Sequence, residues 1–248
     1  DAGQQAVLVE PDLRGLAIQL QGATGAGSAD VPMAQDFVLL SHHSMPLGTV
    51  RLFRDAIYYS IESSPLMLLA KFLVTGHFGA LVALKKAGSC PTSPLDIRYW
   101  STTPYRFGPD RAVKYGLLPT SSHRSTLPAK LSEDYLSEAM AAHLDAHEAS
   151  FDFCVQFQKP GMPIEDAAVR WDEVLSPLIK LATVTIPQQD FRTPERRALS
   201  EALMFSPGHT LEEHAPLGGL NLGRVAIYEA LSKFRHERDA TLRANPPA

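Results

Sequence analysis

The sequence has few cysteines: only Cys90 and Cys154 occur among its 248 residues. Two thiols so far apart cannot supply a disulfide framework or a four-thiolate zinc site. We interpret both as free thiols, which favours a reducing, cytoplasmic compartment. No basic segment followed by an apolar run opens the chain, so a secretory leader is either absent or already removed, and removal would allow a periplasmic location.

An excess of positive charge is also lacking, because 23 Lys and Arg stand against 27 Asp and Glu, for a net charge of -4. No overall basic field is available for nucleic acid phosphates, so we expect no nucleic acid partner. The longest apolar stretch, residues 66–84, is interrupted by Lys71 and His77 and closed by Lys85 and Lys86. We therefore predict a buried helix pair there and no stable membrane span.

Several motifs of enzyme chemistry are incomplete. The glycines between Gly22 and Gly27 lack the lysine of a phosphate-binding loop, and no G-x-S-x-G elbow is present. His143 and His147 have helical spacing, but without an obvious third metal ligand we interpret them as surface histidines. The acidic pairs at 165–166 and 172–173 are typical of a solvated face.

The patterns that are present predict strands first and helices later. Short apolar or alternating runs indicate strands at 6–9, 16–20, 37–40, 151–157 and 182–186, with further strands around a bend between 95 and 118. Helices are predicted as a pair between Arg54 and Lys86 with Pro65 as a first helical residue, at Ser132–His147 with Ser132 as N-cap, from Thr193, and at Leu222–Arg243. These elements predict one α+β domain over residues 1–248, an antiparallel sheet with helices appended.

One polar seam lies on the last predicted helix. Arg224, Tyr228 and Arg235 stand at i, i+4 and i+11, which at about 100° per residue falls within a narrow stripe. Beside it runs an apolar stripe of Ile227, Leu231 and Phe234. Spacing alone fits an ordinary core tyrosine with two surface arginines. It also fits a tyrosinate ligand for ferric haem iron, with Arg224 favouring the phenolate and Arg235 pairing with a haem propionate.

The segment from Gly223 to Tyr228 resembles the haem-ligand signature of catalases, in which an arginine precedes the axial tyrosine by four residues. Ala226 replaces the phenylalanine at the centre of that signature, and Arg235 stands at the position of the arginine that binds a propionate. Residues 11–18 are similar to another catalase segment. Further motifs resemble short catalase-related proteins over Pro11 to Arg238: Gln35-Asp36-Phe37, Tyr99-Trp100-Ser101, Pro104-Tyr105-Arg106, residues 162–166, 171–173, 186–191 and 216–221.

This resemblance implies a catalase-like antiparallel β-barrel with inserted and C-terminal helices. It implies a haem b cofactor with ferric iron, ligated by Tyr228 and held by Arg224 and Arg235. The implied chemistry is conversion of hydrogen peroxide or organic hydroperoxides, since relatives include allene oxide synthases that act on fatty-acid hydroperoxides. It further implies a homodimer or a homotetramer.

The side of the site opposite the tyrosine departs from the family. Its distal histidine would lie upstream of Asp1, so we expect that the N-terminal part of the domain is lacking or belongs to a longer polypeptide. Ser41 best matches the family's distal asparagine, and His42 or His43 could replace the base, although strand alternation would point only one of them inward. We take Ser41, His42 and Arg224 as the catalytic candidates. The alternative is a catalase-like protein that binds haem without turnover or binds none.

Overall fold

The computed structural model describes residues 13–23, 33–61, 64–88, 90–128 and 130–244. The strand expected at 6–9 lies outside the described residues. Seven strands form one antiparallel sheet: β1 Gly15–Ala23, β2 Met33–Leu40, β3 Tyr99–Trp100, β4 Tyr105–Arg106, β5 Ala112–Pro119, β6 Ala149–Phe157 and β7 Ile179–Ile186. The predicted strands within the described ranges are confirmed, including those around the bend.

The sheet runs in the order β1-β2-β3-β5-β6-β7, with β4 paired to the free half of β5. Among the described residues β1 and β7 each pair on one side only, so the sheet curls into half a barrel rather than a closed one. The α+β class and the antiparallel pairing are confirmed, while closure of the expected barrel is not seen in the part that the structure describes.

Alternating side chains on the inner face of the sheet build the main core. Leu39, Val113, Leu117, Phe151 and Val155 are all buried there, as period-two alternation requires. Burying each such side chain contributes roughly 1.5–3 kcal/mol. The opposite face of β1 and β2 is thereby left for other contacts.

The described ranges also contain six α-helices: α1 Val50–Ile61, α2 Pro65–Val74, α3 Phe78–Ala87, α4 Tyr135–Ala146, α5 Pro194–Ala202 and α6 Gly219–Ala244. The expected helix at 193 is confirmed with Thr193 as its cap, and the last helix begins three residues earlier than predicted. Ser132 does not cap α4, which begins at Tyr135, because its hydroxyl instead donates to Glu138. None of the helices in the described ranges is long and apolar enough to span a membrane.

The segment 54–86, predicted as a pair of helices, contains parts of three helices, α1, α2 and α3. The apolar stretch within it is largely exposed, so the prediction that it is buried is wrong. Pro65 does open α2, with Ser64 as N-cap, but Gly76 at a φ of 74° turns the chain into α3. Among the residues of this segment whose burial the structure describes, only Phe72 is fully buried, and it packs against Leu47 and Ala56. An apolar sequence predicted the helices correctly but not their burial, which depends on which surfaces pack against them.

Candidate functional site

A cavity of about 440 Å³ lies between α6 and the outer face of β1 and β2. Its lining is Gly15, Leu16, Ala17, Val38, Leu39, Leu40, Leu203, Met204, Phe205, Tyr228, Leu231, Ser232 and Arg235. Gly15 pairs with Leu40 and Ala17 with Val38 in the strand register, so these four positions lie together. Small residues on β1 leave the space that the cavity occupies.

The polar groups of the cavity all belong to α6. Tyr228, Ser232 and Arg235 are spaced at i, i+4 and i+7 and therefore share one face of the helix. The hydroxyl of Ser232 is buried and has no hydrogen-bond partner among the described residues. An unpartnered buried hydroxyl is costly, and a bound polar group would remove that cost.

Arg224 lies beside Tyr228, as the helical spacing predicted. It is buried, and its Nη1 donates a hydrogen bond of 2.8 Å to Oγ1 of Thr103. Its Cζ lies 5.8 Å from the centroid of the Tyr228 ring, a distance at which a guanidinium interacts with an aromatic face. The structure thus brings the pair together, and the phenolate role of Arg224 stays a prediction.

Residues 203–205 also line the cavity, and hydrogen bonds to Arg235 and Asp36 hold this segment and the residues after it in place. Nη2 of Arg235 donates to the carbonyl of Leu203 at 2.6 Å. Fully buried Asp36 on β2 accepts hydrogen bonds from the backbone N–H of Ser206 at 2.9 Å and from Nδ1 of His209 at 3.0 Å. Asp36 belongs to a motif that the sequence singled out, but its role as an anchor for this segment was not predicted.

Ser41 and His42 do not line the cavity. The Ser41 hydroxyl accepts a hydrogen bond of 2.8 Å from the backbone N–H of Arg14, and the Ser41 N–H donates back to the Arg14 carbonyl. Nδ1 of His42 lies 2.7 Å from the carbonyl of Ser44. β2 ends at Leu40, and strand alternation no longer applies beyond it: the His42 and His43 rings lie 4.3 Å apart, so the expectation that they point to opposite sides is wrong.

The sheet side of the cavity is apolar throughout. Val38 and Leu40 face it from β2, and Gly15 and Ala17 from β1, while the side chains of Leu16 and Leu39 belong to the core on the other face of the sheet. Within the described residues, no side chain that could donate or accept a proton therefore lines the wall opposite Tyr228. This feature depends on strand register and could not be predicted from the sequence alone.

Two titratable side chains outside the cavity lining, Lys114 and His43, have shifted pKa values. Lys114 on β5 is 3% exposed, and burial lowers its pKa to about 8, with its Nζ 5.0 Å from the centroid of Trp171. Burial likewise lowers the pKa of His43 to about 4. Sequence patterns did not indicate either shift, because both depend on packing between distant segments.

The interpretation of His143 as a surface histidine is wrong. His143 is fully buried, its ring lies 4.6 Å from that of His123, and its Nε2 lies 3.2 Å from the Glu148 carbonyl. Burial lowers its pKa. His147 is exposed, as predicted. No three His, Cys, Asp or Glu side chains in the described ranges are arranged to hold a metal ion.

Comparison with known proteins gives one similar curated sequence and many similar folds. No protein-family model matches the chain. A catalase-related peroxidase of Mycolicibacterium paratuberculosis is 28% identical over an alignment of 245 positions that covers 95% of this chain and 75% of the relative. A fungal catalase superimposes with a TM-score of 0.65 at 16% identity over 93% of this chain, and a bacterial catalase with 0.65 at 14% identity over 91%. Catalase A from Saccharomyces cerevisiae gives 0.63 at 13% identity over 82%.

The chain is catalase-like in sequence and has the catalase fold, as its motifs indicated. It spans about half the length of the catalases, 49% of the fungal chain and 46% of each of the other two.

Proposed function

We propose that the chain binds haem b in the cavity between α6 and β1–β2, with Tyr228 as the iron ligand, and converts hydrogen peroxide or an organic hydroperoxide there. The observation that supports this most is the position of Tyr228 and Arg235 on the wall of one cavity of about 440 Å³. The similarity to a catalase-related peroxidase agrees with it.

The lining fits such a group. A cavity of this volume lies within the range of about 300–1,000 Å³ typical of cofactor sites, which are mostly apolar with a few placed polar groups. Its apolar strands suit a flat macrocycle, and the buried hydroxyl of Ser232, which has no hydrogen-bond partner among the described residues, suits a polar edge. When bound, the haem would supply the redox chemistry, and the protein controls it through the axial ligand and the polarity of the pocket.

Arg224 and Arg235 would have separate tasks. Arg224 keeps a positive charge beside the Tyr228 ring and is itself held by Thr103, so its position does not depend on a ligand. Arg235 uses one N–H on the Leu203 carbonyl, and a guanidinium has five N–H donors. Arg235 therefore has N–H donors left for a propionate while its hydrogen bond to the Leu203 carbonyl stays in place.

For the substrate, the apolar strand face offers space for the hydrocarbon part of an organic hydroperoxide. We place proton transfer at the end of β2, where Ser41 and His42 directly follow the cavity residue Leu40 without lining the cavity themselves. Imidazole is matched to proton transfer near neutral pH.

The second candidate function is haem binding without turnover. The apolar sheet wall of the described residues favours it, because peroxide chemistry needs a group that moves a proton on the side opposite the iron ligand. Hydrogen peroxide or fatty-acid hydroperoxide consumption, compared with an equal concentration of free haemin, separates the two candidates. A rate no higher than that of haemin supports binding alone.

The ligand assignment is tested with Tyr228→Phe, and Tyr58→Phe serves as control because Tyr58 is an exposed tyrosine of α1. We expect haem-loaded wild type and Tyr58→Phe to share one Soret band and ferric phenolate charge-transfer bands, and Tyr228→Phe to lose the latter. An unchanged Tyr228→Phe spectrum would refute the assignment.

A further inference from the structure

The helical hairpin of α2 and α3 exposes an unusual amount of apolar surface. Val74 is 88% exposed and Leu66 77%, whereas such side chains are usually buried. Other large apolar side chains exposed on the same two helices are Met67, Leu69, Leu73, Phe78 and Val82. Contiguous exposed apolar surface of this kind marks an interaction site.

These side chains form one face on each helix. On α2, the exposed apolar positions from Leu66 to Val74 fall within an arc of about 160° at 100° per residue. Phe72 and Leu68 lie on the opposite side and pack against the cluster around Leu47. On α3, the exposed Phe78, Val82 and Lys85 are spaced at i, i+4 and i+7. The inner faces hold the hairpin to the protein, and the outer faces are left uncovered in the described chain.

The charge of the hairpin is opposite to that of the chain. Residues 64–88 contain Lys71, Lys85 and Lys86 but no Asp or Glu, although the whole chain has a net charge of -4. Lys71, at the edge of the apolar arc of α2, is half-buried and interacts electrostatically with Asp55 of α1, whereas Lys85 of α3 is exposed beside Phe78 and Val82. An apolar face bordered by cations is complementary to an anionic lipid surface.

Both helices are too short to cross a bilayer. Each has ten residues and spans about 15 Å, half of a hydrocarbon core of about 30 Å. We propose that the hairpin α2–α3 docks the protein onto an anionic lipid bilayer, with its outer face in the interfacial region. A second copy of the chain fits this face less well. A two-fold symmetric contact would bring the lysines of one hairpin close to those of the other, and the hairpin has no acidic residue to pair with them.

Vesicle co-sedimentation of the full chain tests this without any haem, so its outcome is independent of the proposed function. The probes are phosphatidylcholine vesicles with and without phosphatidylglycerol. We expect the wild-type protein to sediment with the anionic vesicles. Val74→Glu should lower the vesicle affinity about tenfold, because it removes one apolar side chain that the lipid would bury. Lys85→Ala should lower the affinity about fivefold, and only for the anionic vesicles.

Val174→Glu is the matched control, because Val174 has the same 88% exposure but lies outside the hairpin. It should bind like wild type. Equal binding of Val74→Glu and wild type, or no binding of wild type, would overturn the proposal. The proposal would also be overturned if wild type did not bind vesicles and light scattering showed a dimer that Val74→Glu dissociates. The surface would then join two copies of the chain.

Discussion

Replacing Asp36 by alanine should destabilise the protein and loosen the cavity wall together. The fully buried carboxylate accepts hydrogen bonds from Ser206 N–H at 2.9 Å, from His209 Nδ1 at 3.0 Å and from Gln19 Nε2 at 3.0 Å. Hydrogen bonds to a charged group contribute about 1.5–3 kcal/mol each, and burying the freed Ser206 N–H costs more, while relaxation and water entry recover part. We expect a loss of about 3–5 kcal/mol in the free energy of unfolding.

Urea unfolding followed by circular dichroism measures this loss. With a slope of roughly 2–3 kcal/mol/M, the midpoint should fall by about 1–2 M. Asp110→Ala, at an exposed aspartate, is the control and should leave the midpoint unchanged. Haem titration of Asp36→Ala should also show weaker binding, because residues 203–205 line the cavity. A midpoint within 0.3 M of wild type, about 1 kcal/mol, would refute the anchoring role.

Two further predictions follow from the cavity and from Lys114. Ala17→Phe should fill the space between β1 and α6 and lower the haem affinity at least about fivefold in a Soret titration, since overpacking costs about 1–3 kcal/mol. Leu20→Phe, on the same strand but outside the lining, should bind like wild type. The folded-state pKa of Lys114, about 8, lies below its usual 10.5, so the unfolded state binds more protons between these values and stability rises with pH there. Lys114→Met should therefore be more stable than wild type near pH 7, by up to about 3 kcal/mol, and this advantage should shrink by pH 9.5 in chemical unfolding. An advantage that is constant with pH would contradict the buried charge.

Local periodicity predicted much of the fold. Alternation at 151–157 and helical spacing at 222–243 each depend on neighbours in the chain, and both elements appear as β6 and α6. The same holds for the Arg224–Tyr228 pair, because one helical turn fixes the distance between its members.

Burial and cavity walls could not be predicted in this way. The exposed face of α2 and buried His143 were both assigned to the wrong environment, since exposure depends on segments far away in sequence. The apolar wall opposite Tyr228 arises from the pairing of Ala17 with Val38, and no local pattern contains that register.

Within the part of the chain that the structure describes, β1 and β7 each pair on one side only, and we expect this to affect how the protein behaves at high concentration. An edge strand presents a row of backbone donors and acceptors that can template another chain. The edge strand β7 also exposes two apolar side chains, Ile179 and Leu181. Lys180 lies between them and forms an ion pair with Asp152. Since salt screens the charges along this edge, we expect association of chains along β7 to increase when the protein is concentrated at high ionic strength.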